Sequence, residues 1–435
     1  MRILYLLGTF PRISSEACIL NEVVEVKKKG HAITILAGDR EIGKYSKDVL
    51  DNSLLEDTIN FRNYSILRSR LFKDYPVNHS SLPAVILLGA LKTADFLFKT
   101  LWDMLRDPVE TSRTILSLLK THNNIFWISD TYLSSRKITV RPDLVHVQFS
   151  HLNHLNQAEF ISMKFGCPFT VMFRALDLYE ERSDGYMRRK RKILQKTAGI
   201  VTISEKNQKV IKERFGKDSV VIHSAINIDK FKPTARSNGA DGMANLIYVG
   251  RFVEKKGLKY LLKACQMLKK RGTDFGLTLI GNGPMIKSYL KKVRELGIGE
   301  NVRLKEMITQ EEVTKELMKA DIFVLPSVVT RSGDRDILPN SLKEAMAMEI
   351  PVITSDISGI EELVEDGISG ILVAPKDAGA IADAIQKLID DPGMGRKMGQ
   401  EGRKKVIEDF NIRIEVQKLV DFFESVVNDP SRTNE

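Results

Sequence analysis

The sequence has few cysteines and no long uninterrupted apolar run. Its 435 residues include only Cys18, Cys167 and Cys265, which lie far apart and show no spacing typical of a metal or redox site. This favours a reduced, cytoplasmic protein, because small disulfide-stabilised proteins use far more cysteine. The longest apolar run, residues 82–91, is about half the roughly 20 residues that a membrane span needs, so no transmembrane helix is expected.

Export signals and nucleic-acid motifs are also missing. Ile3–Leu7 is too short for the apolar part of a signal peptide and predicts a buried strand. A net charge of +10 is compatible with nucleic acid, an anionic membrane or a phosphorylated substrate. The dense basic cluster at residues 188–192 has no interleaved aromatic residues, so no nucleic acid partner is expected. It is either a solvated helix face or a contact to an anionic membrane or a phosphate.

Strand-like and helical segments alternate along both halves of the chain, which indicates parallel sheets built from βαβ units. We predict two doubly wound, Rossmann-like α/β domains facing a central cleft, over residues 1–230 and 245–408. A helical insertion at about 40–140 either packs on the first sheet or covers a site. The apolar spacing of residues 409–428 predicts a last helix that returns to the first domain.

Two short motifs of the second half carry residues that bind phosphate. Gly250, Arg251 and Lys256 lie in a turn between a strand and a helix, where cations beside a helix N-terminus form an anion site. A charged surface loop is the alternative. Asn282 and Gly283 follow the next strand, in a turn whose small residues would let a ligand approach the backbone.

A third motif places two carboxylates around a helix N-terminus. Residues 340–348 are predicted to be helical, with Pro339 near the first turn. Asp336 precedes this helix and Glu344 lies about two turns into it, so the carboxylates are roughly 12 Å apart. They are placed to contact hydroxyl groups at both ends of an elongated ligand, with a diphosphate between them. The alternatives are a capping role for Asp336 and a surface position for Glu344.

Together these motifs resemble those of the GT-B glycosyltransferases of family 4, the glycosyl transferases group 1. That family carries G-R-x4-K-G, G-x-G-P and E-x7-E followed by A-M-A, which correspond to residues 250–257, 281–284 and 336–347. Phe10–Glu16 with Asn21-Glu22 is similar to the opening loop of the exopolysaccharide and colanic acid type enzymes.

The resemblance implies a GT-B fold and a retaining transfer of a hexosyl-type sugar in cell-surface polysaccharide biosynthesis. The donor would be a UDP- or GDP-linked sugar bound by the second domain. The acceptor would be a saccharide or lipid-linked saccharide bound by the first domain. No metal and no cofactor are implied, and a peripheral contact with an anionic membrane is compatible with the basic cluster.

The resemblance also implies which residues form the site. The catalytic residues would be Arg174, Arg251, Lys256 and Asp336. The nucleotide-sugar contacts would be Gly8, Gly250, Asn282, Gly283, Leu338, Pro339, Asn340 and Glu344. Ser15 and Glu16 would lie on the acceptor side.

In these roles, Arg251 and Lys256 neutralise the diphosphate, while Glu344 binds the ribose hydroxyls. Asp336 contacts the transferred sugar. The loop that contains Gly8 closes on that sugar from the other domain.

The sequence departs from the family pattern at three positions. Asp336 is one methylene shorter than the usual Glu, and Glu349 replaces a glycine. Arg174 stands where the family often has a histidine, and a guanidinium is no proton shuttle at neutral pH. A sugar-nucleotide epimerase or hydrolase, or a catalytically silent nucleotide-sugar-binding subunit, is therefore the alternative function.

The histidine cluster His146, His151 and His154 predicts no metal site. His146 is expected in a core strand, and the other two are expected in the loop at the end of that strand.

Overall fold

The computed structural model describes residues 1–9, 17–39, 49, 51–60, 96–121, 131–174, 176–179, 182–233, 243–306, 309–357 and 359–429. Three features of the sequence lie outside the described residues: the apolar run at 82–91, much of the segment 40–140, and Phe10–Glu16, which includes Ser15 and Glu16.

Short apolar segments, buried on both faces, form the first sheet. Its strands are β1 (Arg2–Thr9), β2 (Ala32–Asp39), β3 (Thr58–Asn60), β4 (Leu144–Val147), β5 (Phe169–Phe173), β6 (Gly199–Thr202) and β7 (Val220–Val221). They pair in parallel in the order β3-β2-β1-β4-β5-β6-β7, with Leu6 aligned to Leu36 and to Val147. The order reverses between β1 and β4, so the carboxyl ends of these two strands flank a crevice.

Helices connect and cover the first sheet. They include α1 (Ala17–Lys28), α2 (Pro108–Thr121), α3 (Leu152–Phe165), α4 (Leu176–Tyr179), α5 (Asp184–Leu194) and α6 (Glu205–Phe215). Ser204 caps α6, as its sequence position suggests, because its hydroxyl accepts a hydrogen bond from the Asn207 N–H.

The second sheet repeats the same design. Its strands are β8 (Ala244–Val249), β9 (Phe275–Ile280), β10 (Val302–Lys305), β11 (Ile322–Leu325), β12 (Val352–Ser355) and β13 (Ile371–Val373). They pair in parallel in the order β10-β9-β8-β11-β12-β13, which reverses between β8 and β11. The prediction of two doubly wound α/β domains is confirmed.

The helices of this half follow the periodicity of the sequence. They include α7 (Leu258–Arg271), α8 (Ile286–Glu295), α9 (Gln310–Leu317), α10 (Asn340–Ala347), α11 (Ala378–Asp390), α12 (Pro392–Asp409) and α13 (Ile412–Val427). The apolar face of α7 is fully buried, and the left-handed Gly272 ends the helix. No helix in the described part of the chain is long and apolar enough to cross a bilayer.

The segment at about 40–140 contributes both a strand and helices. Its residues 58–60 form β3, the edge strand beside β2. Residues 96–106 are helical, and α2 packs against α3. This segment therefore supplies an edge of the sheet as well as part of a helical layer.

The chain crosses between the domains twice, and the two crossings are hydrogen bonded to each other. The Ile226 N–H donates to the Phe410 carbonyl at 3.0 Å, and the Ile412 N–H donates to the Ile226 carbonyl at 3.0 Å. After the second crossing α13 packs against α1. The last helix thus lies on the first domain.

Substitution of Gly257 tests how tightly the turn after β8 packs. A Cβ at this left-handed glycine (φ +64°) would lie 1.7 Å from the Pro326 carbonyl oxygen, whereas Gly272 (φ +79°) has nothing within 4 Å. Left-handed strain costs about 1–2 kcal/mol at either site. We expect Gly257→Ala to lower the urea unfolding midpoint clearly more than Gly272→Ala. Equal losses in the two variants would show that the turn relaxes freely.

Candidate active site

The turns that follow β8 and β9 pack on each other. The Phe252 N–H donates to the Asn282 carbonyl at 2.9 Å, and a Cβ at Gly281 would lie 2.0 Å from the Gly250 carbonyl oxygen. A Cβ at Gly283 would lie 2.6 Å from the Phe252 carbonyl oxygen. These glycines are therefore required because the neighbouring turn approaches them closely. Together the two turns form one packed surface, the floor of the site, at the carboxyl edge of the sheet.

An ion pair spans the point where the strand order reverses. Lys256, after β8, places its Nζ 2.8 Å from Asp336 Oδ2, and both side chains are largely buried. The Ser327 hydroxyl, just after β11, donates to the same carboxylate at 2.6 Å. Lys255 pairs with Asp334 at 3.0 Å. The turn after β8 thus fixes the loop before α10, while Arg251 stays exposed at the edge.

The environment keeps Asp336 ionised. Burial by itself raises the pKa of this carboxyl, but Lys256, Lys255 and the Ser327 hydroxyl outweigh burial and hold the pKa below its usual value. Asp336 is therefore a hydrogen-bond acceptor at neutral pH. The capping alternative for Asp336 is wrong, because no side chain caps α10 and its N-cap residue is Pro339.

The backbone before α10 is strained. Leu338 has φ 50°, a left-handed conformation that costs a residue with a side chain about 1 kcal/mol. Its side chain is buried and anchors the turn. Backbone strain of this kind is typical of binding loops, and here it lies at the N-terminus of α10, directly after Asp336.

Glu344 is buried, so the surface alternative for this residue is wrong. Burial raises its pKa to about 7, although Lys343, a hydrogen bond with Gln310 and Lys230 act in the opposite direction. The carboxyl is therefore divided between its neutral and charged forms at physiological pH. Such a group responds strongly to a bound ligand that prefers one form.

Arg174 belongs to a buried polar network of the first domain. Its guanidinium donates to Gln148 Oε1 at 2.5 Å and lies 3.4 Å from Glu22 Oε2, and its N–H donates to Asp177 at 3.1 Å. Glu22 also accepts from Gln148 at 2.5 Å. The contacts tie the ends of β4 and β5 to α1, and Gly8 lies at the end of β1 in the same sheet.

The basic cluster is not a uniform solvated face. Lys190 is buried, donates to the Asp177 carbonyl at 2.7 Å and lies over the rings of Phe173 and Phe215. That interpretation is therefore wrong for Lys190, whose neighbours one turn ahead, Ile193 and Leu194, face the core. Arg188, Arg191 and Lys192 remain exposed.

His146 lies in a core strand as expected. Burial lowers its pKa to about 3, so the ring is neutral, and Nδ1 is 2.8 Å from the Thr170 hydroxyl. His151 is the N-cap residue of α3, although its side chain makes no capping hydrogen bond. The expectation of a loop position is wrong for His154, which lies within that helix. Among the residues that the structure describes, no group of three or more His, Cys, Asp or Glu side chains is arranged to hold a metal ion.

Sequence reasoning missed three residues around the site: Ser327, Lys343 and Glu362. Ser327 binds Asp336, and Lys343 is fully buried beside Glu344. Glu362 accepts hydrogen bonds from the Glu205 and Lys206 N–H groups at 2.9 Å, so it caps α6 of the other domain. Only Ser327 had a usable signal, a polar residue directly after an apolar strand.

The second domain is similar to a known family. Residues 231–405 match the family described as Glycosyl transferases group 1. The amylovoran biosynthesis glycosyltransferase AmsK of Erwinia amylovora is 35% identical over 179 residues, which are 41% of this chain and 44% of AmsK. The putative colanic acid biosynthesis glycosyltransferase WcaL of Salmonella typhimurium is 34% identical over 206 residues, 47% of this chain and 50% of WcaL. The chain thus spans about half the length of the curated relatives it matches.

Solved structures match over nearly the whole chain. A glycosyltransferase from Rickettsia africae gives a TM-score of 0.67 at 16% identity, covering 98% of this chain and 99% of that one. Anabaena Alr3699/HepE in complex with UDP-glucose gives 0.65 at 14% identity, covering 98% and 100%. The fold is GT-B, as the resemblance implied, and residues 231–405 of its second half are similar to the glycosyl transferases group 1 family.

The raised pKa of Glu344 predicts a pH-dependent stability. A folded pKa of about 7 lies above the unfolded value of 4.5, so the contribution of Glu344 is complete below pH 4.5 and is lost as pH rises through 7. Without ligand, Glu344→Gln should match the parent at pH 4 and exceed its unfolding free energy by about 3 kcal/mol at pH 8.5. Urea denaturation measures both, with the exposed Glu401→Gln as control. An equal difference at both pH values would contradict the shift.

Proposed function

We propose that the protein is a glycosyltransferase of the family 4 type. It would transfer a sugar with retention, and without a metal or cofactor, from a UDP- or GDP-linked donor in the second domain. The observation that carries the proposal is the Lys256–Asp336 pair beside the strained Leu338 turn, at the reversal point of a glycosyl transferases group 1 domain. Cation, sugar-reading carboxylate and helix N-terminus meet there at one edge of the sheet.

The donor would lie across this edge with its diphosphate against α10. Lys256 has three N–H donors, so it can keep Asp336 and still bind a phosphate oxygen. Arg251, exposed on the same turn, would bind a second phosphate oxygen, with backbone groups of residues 338–340 and the floor of the two turns adding contacts. Glu344 would accept hydrogen bonds from the ribose hydroxyls, and Asp336 from the transferred sugar.

The chemistry would be dissociation and capture on one face of the sugar. The bond between the anomeric carbon and the phosphate oxygen breaks, and its electron pair leaves with the nucleotide diphosphate. Lys256 and Arg251 stabilise this developing charge, which is usually a large catalytic contribution. The acceptor hydroxyl forms the new bond on the same face and gives its proton to the departing phosphate oxygen. Arg174 would hold the first domain's edge in place and transfer no proton.

The acceptor would be a saccharide or lipid-linked saccharide of a cell-surface polysaccharide pathway, and the relatives named for amylovoran and colanic acid biosynthesis support this class. The donor base and sugar are found by thermal shift with UDP- and GDP-linked sugars, since a bound ligand raises the unfolding temperature.

Lys256→Ala is the sharpest test of the proposed reaction. Loss of the buried cation should reduce sugar transfer by about 100-fold or more, because one preorganised charge contributes about 3–4 kcal/mol to the transition state. Lys255→Ala breaks the neighbouring, less buried pair with Asp334 and leaves the Lys256–Asp336 pair in place, so it is the matched control and should stay within about threefold. Turnover is measured as glycosylated acceptor and as released nucleotide diphosphate.

Three results would redirect the assignment. Near-normal sugar transfer by Lys256→Ala would show that Lys256 does not have the proposed role. Nucleotide diphosphate release without a glycosylated acceptor would indicate a hydrolase or epimerase. Donor binding without any turnover would indicate a silent binding subunit.

A membrane contact on the first domain would give access to a lipid-linked acceptor. The inward side of the helix at residues 96–106 carries the buried Phe96 and also Asp103, which binds Arg136 at 2.7 Å and accepts from the Tyr132 hydroxyl. Its outward side is apolar, with Phe98, Leu101, Trp102 and Leu105 between 48% and 75% exposed. An exposed apolar face of this kind is typical of helices that lie in the headgroup region of a bilayer.

Charge complementarity favours an anionic bilayer as the occupant of this face. Arg106 stacks on Trp102, with the guanidinium 5.2 Å from the ring centroid. The exposed Arg188, Arg191 and Lys192 lie on α5, and both α5 and α2 pack on α3 in the same helical layer. Cations flanking an aromatic and aliphatic surface bind anionic lipid by combined electrostatic and apolar contact.

Replacing two apolar side chains should abolish this contact. Leu101→Glu/Leu105→Glu is expected to weaken sedimentation with phosphatidylglycerol vesicles by at least about tenfold, since each buried leucine contributes about 1.5–3 kcal/mol. Leu290→Glu, on an exposed position of α8, is the control and should bind like the parent. Unchanged vesicle binding, or a dimer in gel filtration that the double variant dissociates, would contradict the membrane assignment.

A further inference from the structure

Lys343 is a fully buried lysine on the helix that carries Glu344. It is 0% exposed, and its Nζ donates a hydrogen bond to the Ser224 carbonyl. The same Nζ lies 5.6 Å from the centroid of the Phe410 ring. Ser224 precedes the first interdomain crossing and Phe410 belongs to the second. One cation on α10 therefore touches both connections between the domains.

The crossings that Lys343 touches are a short, well-defined hinge. Hydrogen bonds at Ile226, Phe410 and Ile412 join the two segments side by side. Arg403 of α12 ties the far end of α10 to the same region, because it donates to the Ala347 and Phe231 carbonyls. The middle and the C-terminal end of the short helix α10 are thus fastened to the connection between the domains.

Charged groups from several elements face Lys343. Burial lowers its pKa to about 7, and Arg174 acts in the same direction, whereas Cys18 of α1, the adjacent Glu344 and Glu415 of α13 act against it. Lys343 of α10 therefore interacts electrostatically with residues of the first domain, in addition to its direct contact with the hinge.

Glu415 extends this network along the hinge. It accepts from the His223 N–H at 2.5 Å and from Lys418 at 2.6 Å. The His223 ring lies 3.8 Å from both Glu415 and Glu362, and Glu362 caps α6. Polar contacts thus run from the second domain through the hinge into both α13 and the first domain.

A small cavity lies beside this network. It is lined by Cys18 and Glu22 of α1, by Arg174, and by hinge and α13 residues that include His223, Ser224 and Glu415. The Nε atom of Arg174 is buried and has no hydrogen-bond partner in the described part of the chain.

Stability alone does not account for a lysine at this position. Replacing a buried charge with an apolar side chain of similar size is often neutral or stabilising. A lysine adds two features: a side chain long enough to hydrogen bond the hinge backbone, and a pKa that depends on the neighbouring charges. Glu344, the proposed ribose contact, is the next residue on the same helix.

We propose that Lys343 is a positioning residue that transmits nucleotide-sugar binding on α10 to the angle between the domains through its bond to the Ser224 carbonyl. The role rests on the proposed function, in which α10 holds the donor. When the donor engages α10, the hinge moves with the helix and brings the first domain onto the sugar. Without this bond the donor would still bind, but closure would no longer follow binding.

Lys343→Met tests the inference, with Lys190→Met as matched control. Both variants remove a buried lysine that donates to a backbone carbonyl, but Lys190 lies wholly within the first domain. In Lys343→Met the UDP-glucose Kd should stay within about threefold of the parent, while kcat falls by about tenfold or more with little change in KM. Solution scattering should show that UDP-glucose compacts the parent and Lys190→Met but not Lys343→Met.

Hydrogen exchange on the free protein separates this inference from the proposed function. The Ile226 and Ile412 amides should exchange at least about tenfold faster in Lys343→Met than in Lys190→Met. Parent-like exchange together with parent-like compaction would overturn the role of Lys343. Loss of UDP-glucose binding in step with activity would make Lys343 part of the donor site instead. If the hinge amides exchange fast in Lys343→Met but the protein binds no nucleotide sugar, the hinge contact of Lys343 is supported and the proposed glycosyltransferase activity is contradicted.

Discussion

The arrangement of the second domain depends on one buried ion pair. Lys256 and Asp336 come from turns that are 80 residues apart in the sequence, and they meet because β8 and β11 are neighbours at the reversal of strand order. Removing one partner of such a pair leaves an uncompensated buried charge and costs about 3–5 kcal/mol, so the pair holds the two turns together only while both are present. This contact fixes the position of the loop before α10, which includes the strained Leu338.

The first domain uses the same physical device for another purpose. Arg174 is held by Glu22 and Gln148, which fastens α1 to the ends of β4 and β5. Burial raises the pKa of Glu22, which shows how much the surroundings cost that carboxylate. Each domain therefore presents to the cleft an edge fixed by buried polar contacts. A rigid edge suits a reaction in which positioning and electrostatic stabilisation do most of the work.

Local patterns in the sequence predicted most of the described elements of the fold, but not the edge strands β3, β10 and β13. Strand-like runs followed by helical spacing predicted both sheets, and the apolar spacing of α7 with Gly272 at its end matches the structure. These features depend on neighbours within one or two turns, which a single sequence displays. The start of α10 after Pro339 is of the same kind.

What the sequence could not show is how elements pair. The burial of Lys190 and Glu344 depends on which helices and strands surround them, and a charged letter looks the same in a solvated and in an enclosed position. Likewise Gly281 was expected to make room for a ligand, whereas the nearest group is the Gly250 carbonyl of the adjacent turn. Strand order decides both outcomes, and strand order is not a local property.

The adjacent Lys343 and Glu344 have a consequence for how binding and domain movement are linked. Both pKa values lie at about 7, so each residue gives up part of its charge to remain buried. A pKa shift of one unit corresponds to about 1.4 kcal/mol, so this helix is held in a state that costs free energy. A ligand that offers hydroxyl groups to the Glu344 carboxylate favours its charged form, and that charge in turn favours the ammonium of Lys343 beside it. Binding on one side of α10 thereby strengthens a hydrogen bond to the hinge on the other, so that the hinge moves with the helix.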